Sequence, residues 1–425
     1  LDYLPFILYF LVYGFLFCLL LPRIGFIKRS GLEPWLLRSL FGLKVLAGLA
    51  IGWISLHVYG PANDYWDLNR EGIKEYQLLT DHPAAYFKNF FHSDYEHGYS
   101  GFFSSFQSFW NDLKNNFVIK LLSVFNIFTN GNYYLNSIFF NAIIFTGHVA
   151  FYRVFIHAFP QRKWLVLIGC FLLPSTLYFS SGIHRDGLVF MLLGLFIYAA
   201  FICLRNRLRF KHILLALISI ILLFILRNYI VVALLPALLG WVIVRYSGWT
   251  KSYVFAAVYV IFWLLFFGIN KLSPAIDPPT ILVQKQTDYL QLTGASTRFQ
   301  LNTLEPDIGS FAANMIQSYN HTLLRPYIWE LPVASLLPFC LELFAYQMLF
   351  VLFIFFHRKG ETAFPDGFGY FIVFFILTAF LFIGYIVPNI GTLVRYRALY
   401  FPLMITPLLA GTHWQRVRSF IKIKK

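Results

Sequence analysis

Trp164-Leu-Val-Leu-Ile-Gly-Cys-Phe-Leu-Leu-Pro-Ser-Thr-Leu-Tyr-Phe-Ser180 and Gly187-Leu-Val-Phe-Met-Leu-Leu-Gly-Leu-Phe-Ile-Tyr-Ala-Ala-Phe-Ile-Cys203 are two apolar runs, each near bilayer length. They meet across Ser181-Gly-Ile-His184-Arg185-Asp186. Three ionisable side chains at such a junction are costly next to lipid unless they have a task. The rest of the chain has the same character. Hydrophobic residues make up 59% of 425, charged residues 12%, and mean hydropathy is +0.65. A soluble domain of this size needs more charge to cover its surface. The expectation is an all-α, polytopic transmembrane helical bundle.

A spanning helix needs roughly 20 mostly apolar residues. On that rule about eleven runs qualify: Leu4–Leu21, Leu40–His57, Tyr134–His157, Trp164–Ser180, Gly187–Cys203, Ile213–Leu226, Tyr229–Val244, Tyr253–Asn270, Leu331–Phe356, Phe368–Val387 and Ala398–Thr412. Arg227-Asn228 splits one long run, because a single helix would bury Arg227 near its middle. Basic residues gather after every second run (Lys28 and Arg29, Arg162 and Lys163, Arg205 to Lys211 with Arg207, Arg358 and Lys359, Arg416 to Lys425 with Lys424). This positive-inside pattern puts those loops in the cytoplasm, the N-terminus outside and the C-terminus inside. The net charge of +15 is thereby assigned to topology and anionic lipid, not to nucleic acid.

Residues 1–425 read as one integral-membrane domain with two long outer loops, about 58–132 and 271–330. No internal repeat and no soluble domain is expected. The first run lacks a basic segment before it and a small-residue site after it, so a cleavable signal peptide is not expected either. The four cysteines lack metal-ligand spacing and read as small core residues. In the first loop, the stretch from Asp112 to Phe125 has helical spacing that suits an interfacial helix. Tyr65, Trp66, Tyr86, Phe87, Phe90, Phe91, Phe102, Phe103, Phe106 and Trp110 crowd the same loop, as an aromatic belt or as stacking faces for sugars.

Polar clusters that topology does not explain fall on the outer side: Asp64 and Asp67, His184-Arg185-Asp186, Arg227-Asn228, Arg325, and Arg395-Tyr396-Arg397. Such a set suits transfer of a group from a polyprenyl-linked donor. Asp64 or Asp67 could take a proton from an acceptor hydroxyl. Arg227, Arg395 and Arg397, with Arg185 and Arg325 next in line, offer planar forks for phosphate oxygens. His184 could donate to phosphate or relay a proton. Asp186 and Asp64 could share a Mg2+ or Mn2+ ion through hard oxygen ligands. Each residue also has a plainer role. Asp64, Asp67 and Asp186 could cap helices, and Arg395 and Arg397 could bind lipid headgroups.

Taken together, these residues resemble the membrane-embedded GT-C superfamily glycosyltransferases and the related polysaccharide polymerases of the O-antigen and EpsG type. In those enzymes a long first outer loop carries an acidic residue near the preceding span, as Asp64 and Asp67 do here. A second outer turn carries acidic or histidine residues, as His184-Arg185-Asp186 does. Arg395-Tyr396-Arg397-Ala-Leu-Tyr-Phe-Pro402 looks like their Arg-Tyr motif, in which a proline follows within the next span. The chain departs from the pattern in an extra span before the acidic loop, in having no expected soluble C-terminal domain, and in lacking a DxD in the second turn.

The resemblance implies a polyprenyl-phosphate or polyprenyl-pyrophosphate sugar donor and a saccharide or lipid-linked acceptor. It also implies a place in a bacterial inner membrane and in cell-envelope polysaccharide biosynthesis. The expected function is therefore a GT-C-like glycosyltransferase or glycan polymerase working on the extracytoplasmic face. The competing expectations are a transporter or flippase of lipid-linked saccharides, for which Glu342 is the acidic residue inside a span, and a structural subunit of an envelope complex.

Overall fold

The computed structural model describes residues 4–89, 109–205, 208–273, 276–291, 297–330, 334–358, 364 and 367–423. Phe90, Phe91, Phe102, Phe103, Phe106, Arg207, Lys359, Lys424 and Lys425 lie outside the described residues, as do the side chains of Trp110 and Asp112. Helix follows helix throughout, and among the described residues the only β pairings are the isolated bridges Arg298–Asn389 and His357–Thr412. In chain order the helices are α1 Leu4–Leu20, α2 Gly25–Lys28, α3 Pro34–Tyr59, α4 Asp64–Asp81, α5 Pro83–Lys88, α6 Phe109–Thr129, α7 Tyr133–Ala158, α8 Lys163–Phe171, α9 Pro174–Phe179 and α10 Arg185–Arg205. They continue as α11 Phe210–Ser247, α12 Lys251–Leu272, α13 Pro278–Gln291, α14 Ile308–Leu324, α15 Leu337–Phe356, α16 Phe368–Ile386, α17 Ile390–Ala398, α18 Phe401–Gly411 and α19 Trp414–Ile423.

Among the described residues, eight helical segments are long and apolar enough to cross a membrane: Phe6–Arg23, α3, α7, α10, α11, α12, α15 and α16. The expected runs beyond these eight are accounted for by broken or short helices. The run from Trp164 to Ser180 is two short helices, α8 and α9, parted just before Pro174, whose ring cannot continue a helix. The last run is α18, with eleven residues. At 38 residues α11 rises about 57 Å, nearly twice the hydrocarbon thickness. It is interrupted at Arg227, where φ −152° and ψ 84° leave the helical region. The expected outer turn is thus a one-residue break.

The chain gathers into two compact units. The first comprises residues 1–153, 176–199 and 213–226; the second comprises 154–175, 200–212 and 227–425. In the first, α4 and α6 pack along their length. A Cβ at Gly72 would come within 2.7 Å of Leu122, and Val118, Leu122 and Phe125 are buried. Lys120 is buried in an ion pair with Glu75 and lies over the Tyr86 ring. The second unit packs α8 on α18, where Gly169 abuts Thr406, and α14 on α16, where Gly384 abuts Ser318.

Candidate active site

In the first unit, α4 begins where Asn63 caps it, accepting from the backbone N–H groups of Tyr65 and Trp66. The cap is therefore Asn63, and Asp64 and Asp67 fall in the first helical turn. Trp66 fixes the helix by stacking on Tyr133 at 4.5 Å and donating to the Gly52 carbonyl. Further along, Asn69 bonds Asn136 of α7 at 2.9 Å.

The turn Ser180–Asp186 lies deeper than its sequence suggests. Ser180 and Ser181 sit against Lys44 and Gly48 of α3, three or more turns before that helix ends at Tyr59. Lys44, 1% exposed, donates to the Ser180 carbonyl (3.3 Å), Ser180 Oγ (2.9 Å) and Ser181 Oγ (3.1 Å). Ser180 Oγ also lies 3.4 Å from His148 Nε2 of α7. Asn141 donates to the Ser181 carbonyl, and the Ile183 N–H donates to Tyr133. Glycine is required along this path, since a Cβ at Gly182 would come 2.6 Å from the Tyr65 ring and one at Gly187 2.8 Å from the Ser180 carbonyl.

This packing delivers His184 between two carboxylates. Its Nδ1 is 2.9 Å from Asp186 Oδ2 and its Nε2 is 3.7 Å from Asp64 Oδ2. Nδ1 also lies 3.3 Å from the Asp186 backbone nitrogen, and its shorter approach to the Asp186 carboxylate is the contact that a ring proton on Nδ1 satisfies. Asp186 is 1% exposed and His184 3%, whereas Asp64 is 62% exposed. The set is a buried acid–imidazole pair with one carboxylate open to solvent. Asp67 stands apart in a surface pair with Arg70, and Arg185 turns to Asn115 of α6.

Two oxygens on one Mg2+ or Mn2+ lie within about 4 Å of each other. Here the imidazole ring stands between Asp64 and Asp186. Among the described residues, no group of three or more His, Cys, Asp or Glu could hold a metal ion.

The second unit holds the arginines. At the α11 break, Arg227 lays its guanidinium 3.9 Å over the Tyr396 ring and donates to Tyr229. Tyr396 shares a 2.8 Å hydrogen bond with Tyr289 of α13. Lys285, one turn earlier on α13, reaches Asn228 at 3.4 Å. Burial pushes the Lys285 ammonium down, while Asp288 and Tyr396 oppose that. Burial and then Tyr396 push the Tyr289 hydroxyl up, against the charges of Arg227 and Arg395. Arg227, Arg395 and Lys285 are thus grouped around one tyrosine pair.

Arg397 is not in that group. Two residues from Arg395 on the same helix, it points elsewhere. It is 1% exposed and donates to the backbone carbonyls of Thr322 and Arg325. Arg325 pairs with Glu330 at 3.1 Å and lies over the Phe299 ring. Glu342, in the second turn of α15, accepts from the Ser175 N–H, Ser175 Oγ and Tyr346 hydroxyl. It is a fully engaged structural carboxylate.

Sequence reasoning missed Lys44, His148 and Lys285. The first was visible as a lone cation inside an apolar run, which lipid does not tolerate without partners. His148 was visible in the same way, inside the run Tyr134–His157, whereas Lys285 carried no such signal.

No curated protein and no solved structure matches the chain. The family described as predicted membrane protein (DUF2142) matches residues 113–383. That stretch contains His184, Asp186, Arg227, Lys285, Arg325 and Glu342, and leaves Asp64 and Arg395 outside it. With well over half of its length matched, from within α6 to within α16, this polytopic helical chain belongs to the DUF2142 family of predicted membrane proteins.

Proposed function

We propose that the protein is an integral-membrane glycosyltransferase or glycan polymerase that uses a polyprenyl-(pyro)phosphate-linked sugar donor on the extracytoplasmic face of a bacterial inner membrane. The observation that carries this reading is Asp64, a solvent-facing carboxylate backed by the buried His184–Asp186 pair. In the proposed reaction an acceptor hydroxyl attacks the anomeric carbon of the donor. The bond from that carbon to the phosphate oxygen breaks, and the electron pair leaves with the polyprenyl phosphate. Asp64 takes the hydroxyl proton. His184 stands beside that carboxylate, with Nε2 3.7 Å from Asp64 Oδ2, and Asp186 orients the imidazole through Nδ1.

Within the second unit, Arg227, Arg395 and Lys285 are assigned to binding of the donor's phosphate. Arg397, Arg325 and Arg185, which contact backbone carbonyls, Glu330 and Asn115, come after these three in the assignment. The test is conversion of polyprenyl-linked sugar donors by the purified protein. Unchanged donor across a broad panel overturns the proposal.

A second reading, movement of a lipid-linked saccharide, is favoured by one observation: Lys44 and His148 are both buried inside long apolar helices, around the same serine. Transport of labelled lipid-linked saccharide across proteoliposomes, with no glycosidic bond made, supports that reading over the first.

A further inference from the structure

The last helix, α19, follows the end of α15 as a short attached segment. The His413 N–H donates to the Phe356 carbonyl at 2.8 Å, and the Arg358 N–H donates to the Gly411 carbonyl at 3.1 Å. His357 and Thr412 form an isolated bridge beside them. Trp414 opens the helix and donates from its ring to the Leu409 carbonyl. Trp414, Val417 and Phe420 recur at helical spacing and form one apolar stripe. Val417 is buried, while Phe420 touches Phe356 with one side and remains half exposed on the other.

Arg416 and Arg418 are exposed. Among the described residues neither forms an ion pair, and from His413 onward the sequence contains no acidic residue. A partly exposed apolar stripe with unneutralised arginines, fixed to the end of a membrane-length helix, matches one environment. That environment is the boundary between acyl chains and negatively charged headgroups.

We propose that α19 is a binding site for anionic phospholipid headgroups, with Arg416 and Arg418 as the headgroup ligands and Phe420 entering the acyl boundary. This site is separate from the reading of Asp64 and stands or falls independently of it. Each arginine near an anionic surface contributes about a fivefold gain in affinity. Full-length protein in neutral detergent is titrated with phosphatidylglycerol and, separately, with phosphatidylcholine, and bound lipid is counted by native mass spectrometry.

The wild type is expected to retain phosphatidylglycerol over phosphatidylcholine, with the preference falling as salt rises. Arg416→Ala with Arg418→Ala should lose about 25-fold in phosphatidylglycerol affinity and nothing for phosphatidylcholine. The corresponding lysine pair should keep most of the preference, and it provides the test if the alanine pair does not fold. Equal retention of both lipids by the wild type overturns the proposal. So does an alanine pair that binds phosphatidylglycerol like the wild type, or a protein retained on α19 with no lipid preference.

Discussion

Replacing Lys44 by methionine separates holding the fold from holding the turn. Methionine has similar length and no charge, so the change removes three donated hydrogen bonds without opening a large cavity. Hydrogen bonds to a charged group contribute about 1.5–3 kcal/mol each. Against this, an ammonium buried to 1% exposure carries a desolvation penalty of several kcal/mol, on the order of what its bonds return. The acceptors are not all stranded. Ser180 Oγ retains His148, and Ser181 Oγ retains its 2.6 Å bond to the Leu177 carbonyl. One carbonyl, that of Ser180, loses a partner, at a cost of about 1–3 kcal/mol. Overall stability should therefore change by no more than about 2 kcal/mol. The turn itself loses a link of about 1.5–3 kcal/mol, so amide exchange over residues 180–187 should quicken roughly tenfold to a hundredfold. Hydrogen–deuterium exchange by mass spectrometry, with a thermal melt of the same sample, reads both quantities. Unchanged exchange in that turn refutes the positioning role. Collapse of the melting temperature would make Lys44 a general support of the bundle.

Asp64→Asn should abolish donor turnover while donor binding and folded yield persist, whereas Asp67→Asn should leave turnover near wild type, its exposed pair with Arg70 contributing under about 1 kcal/mol. Arg227→Lys, Arg395→Lys and Lys285→Met should each raise the donor KM about tenfold to a hundredfold; Arg298→Lys, an exposed control, should not, and equal damage there removes the phosphate assignment. Burial, reinforced by Arg325, lowers the His321 pKa to about 4. Because the unfolded chain takes up this proton first, stability should be fully present above about pH 6.5 and fall by up to about 3 kcal/mol as pH drops towards 4. His321→Gln should flatten that part of the melting-temperature profile, and an unchanged slope assigns it to other groups. Cysteine-accessibility labelling at positions 28 and 320 should give opposite sidedness, and the same sidedness overturns the assigned orientation.

The bundle was legible because apolar length is a property of the chain itself, while the exact path of each run was not. Trp164 to Ser180 has the hydropathy of a span, yet Pro174 breaks it into two short helices. Arg227 was recognisable as a break because no long helix tolerates an unpartnered arginine at its centre. Its actual partner, the Tyr396 ring, comes from a distant part of the sequence.

The same limit separates Arg395 from Arg397. As sequence they form one basic motif. On a helix two residues apart they face different neighbours, and Arg397 Nη1 donates to the carbonyls of Thr322 and Arg325. Glu342 gives the parallel case among the acids, with its oxygens taken by Ser175 and Tyr346. Sequence finds charges that are out of place but does not separate a charge satisfied on every side from one with an open face. Asp64 has that open face, being 62% exposed beside the buried His184, while Asn63 caps the helix. Chemistry on an incoming hydroxyl needs a carboxylate of that kind, so among the acidic residues named from sequence Asp64 is the one on which the proposed reaction depends.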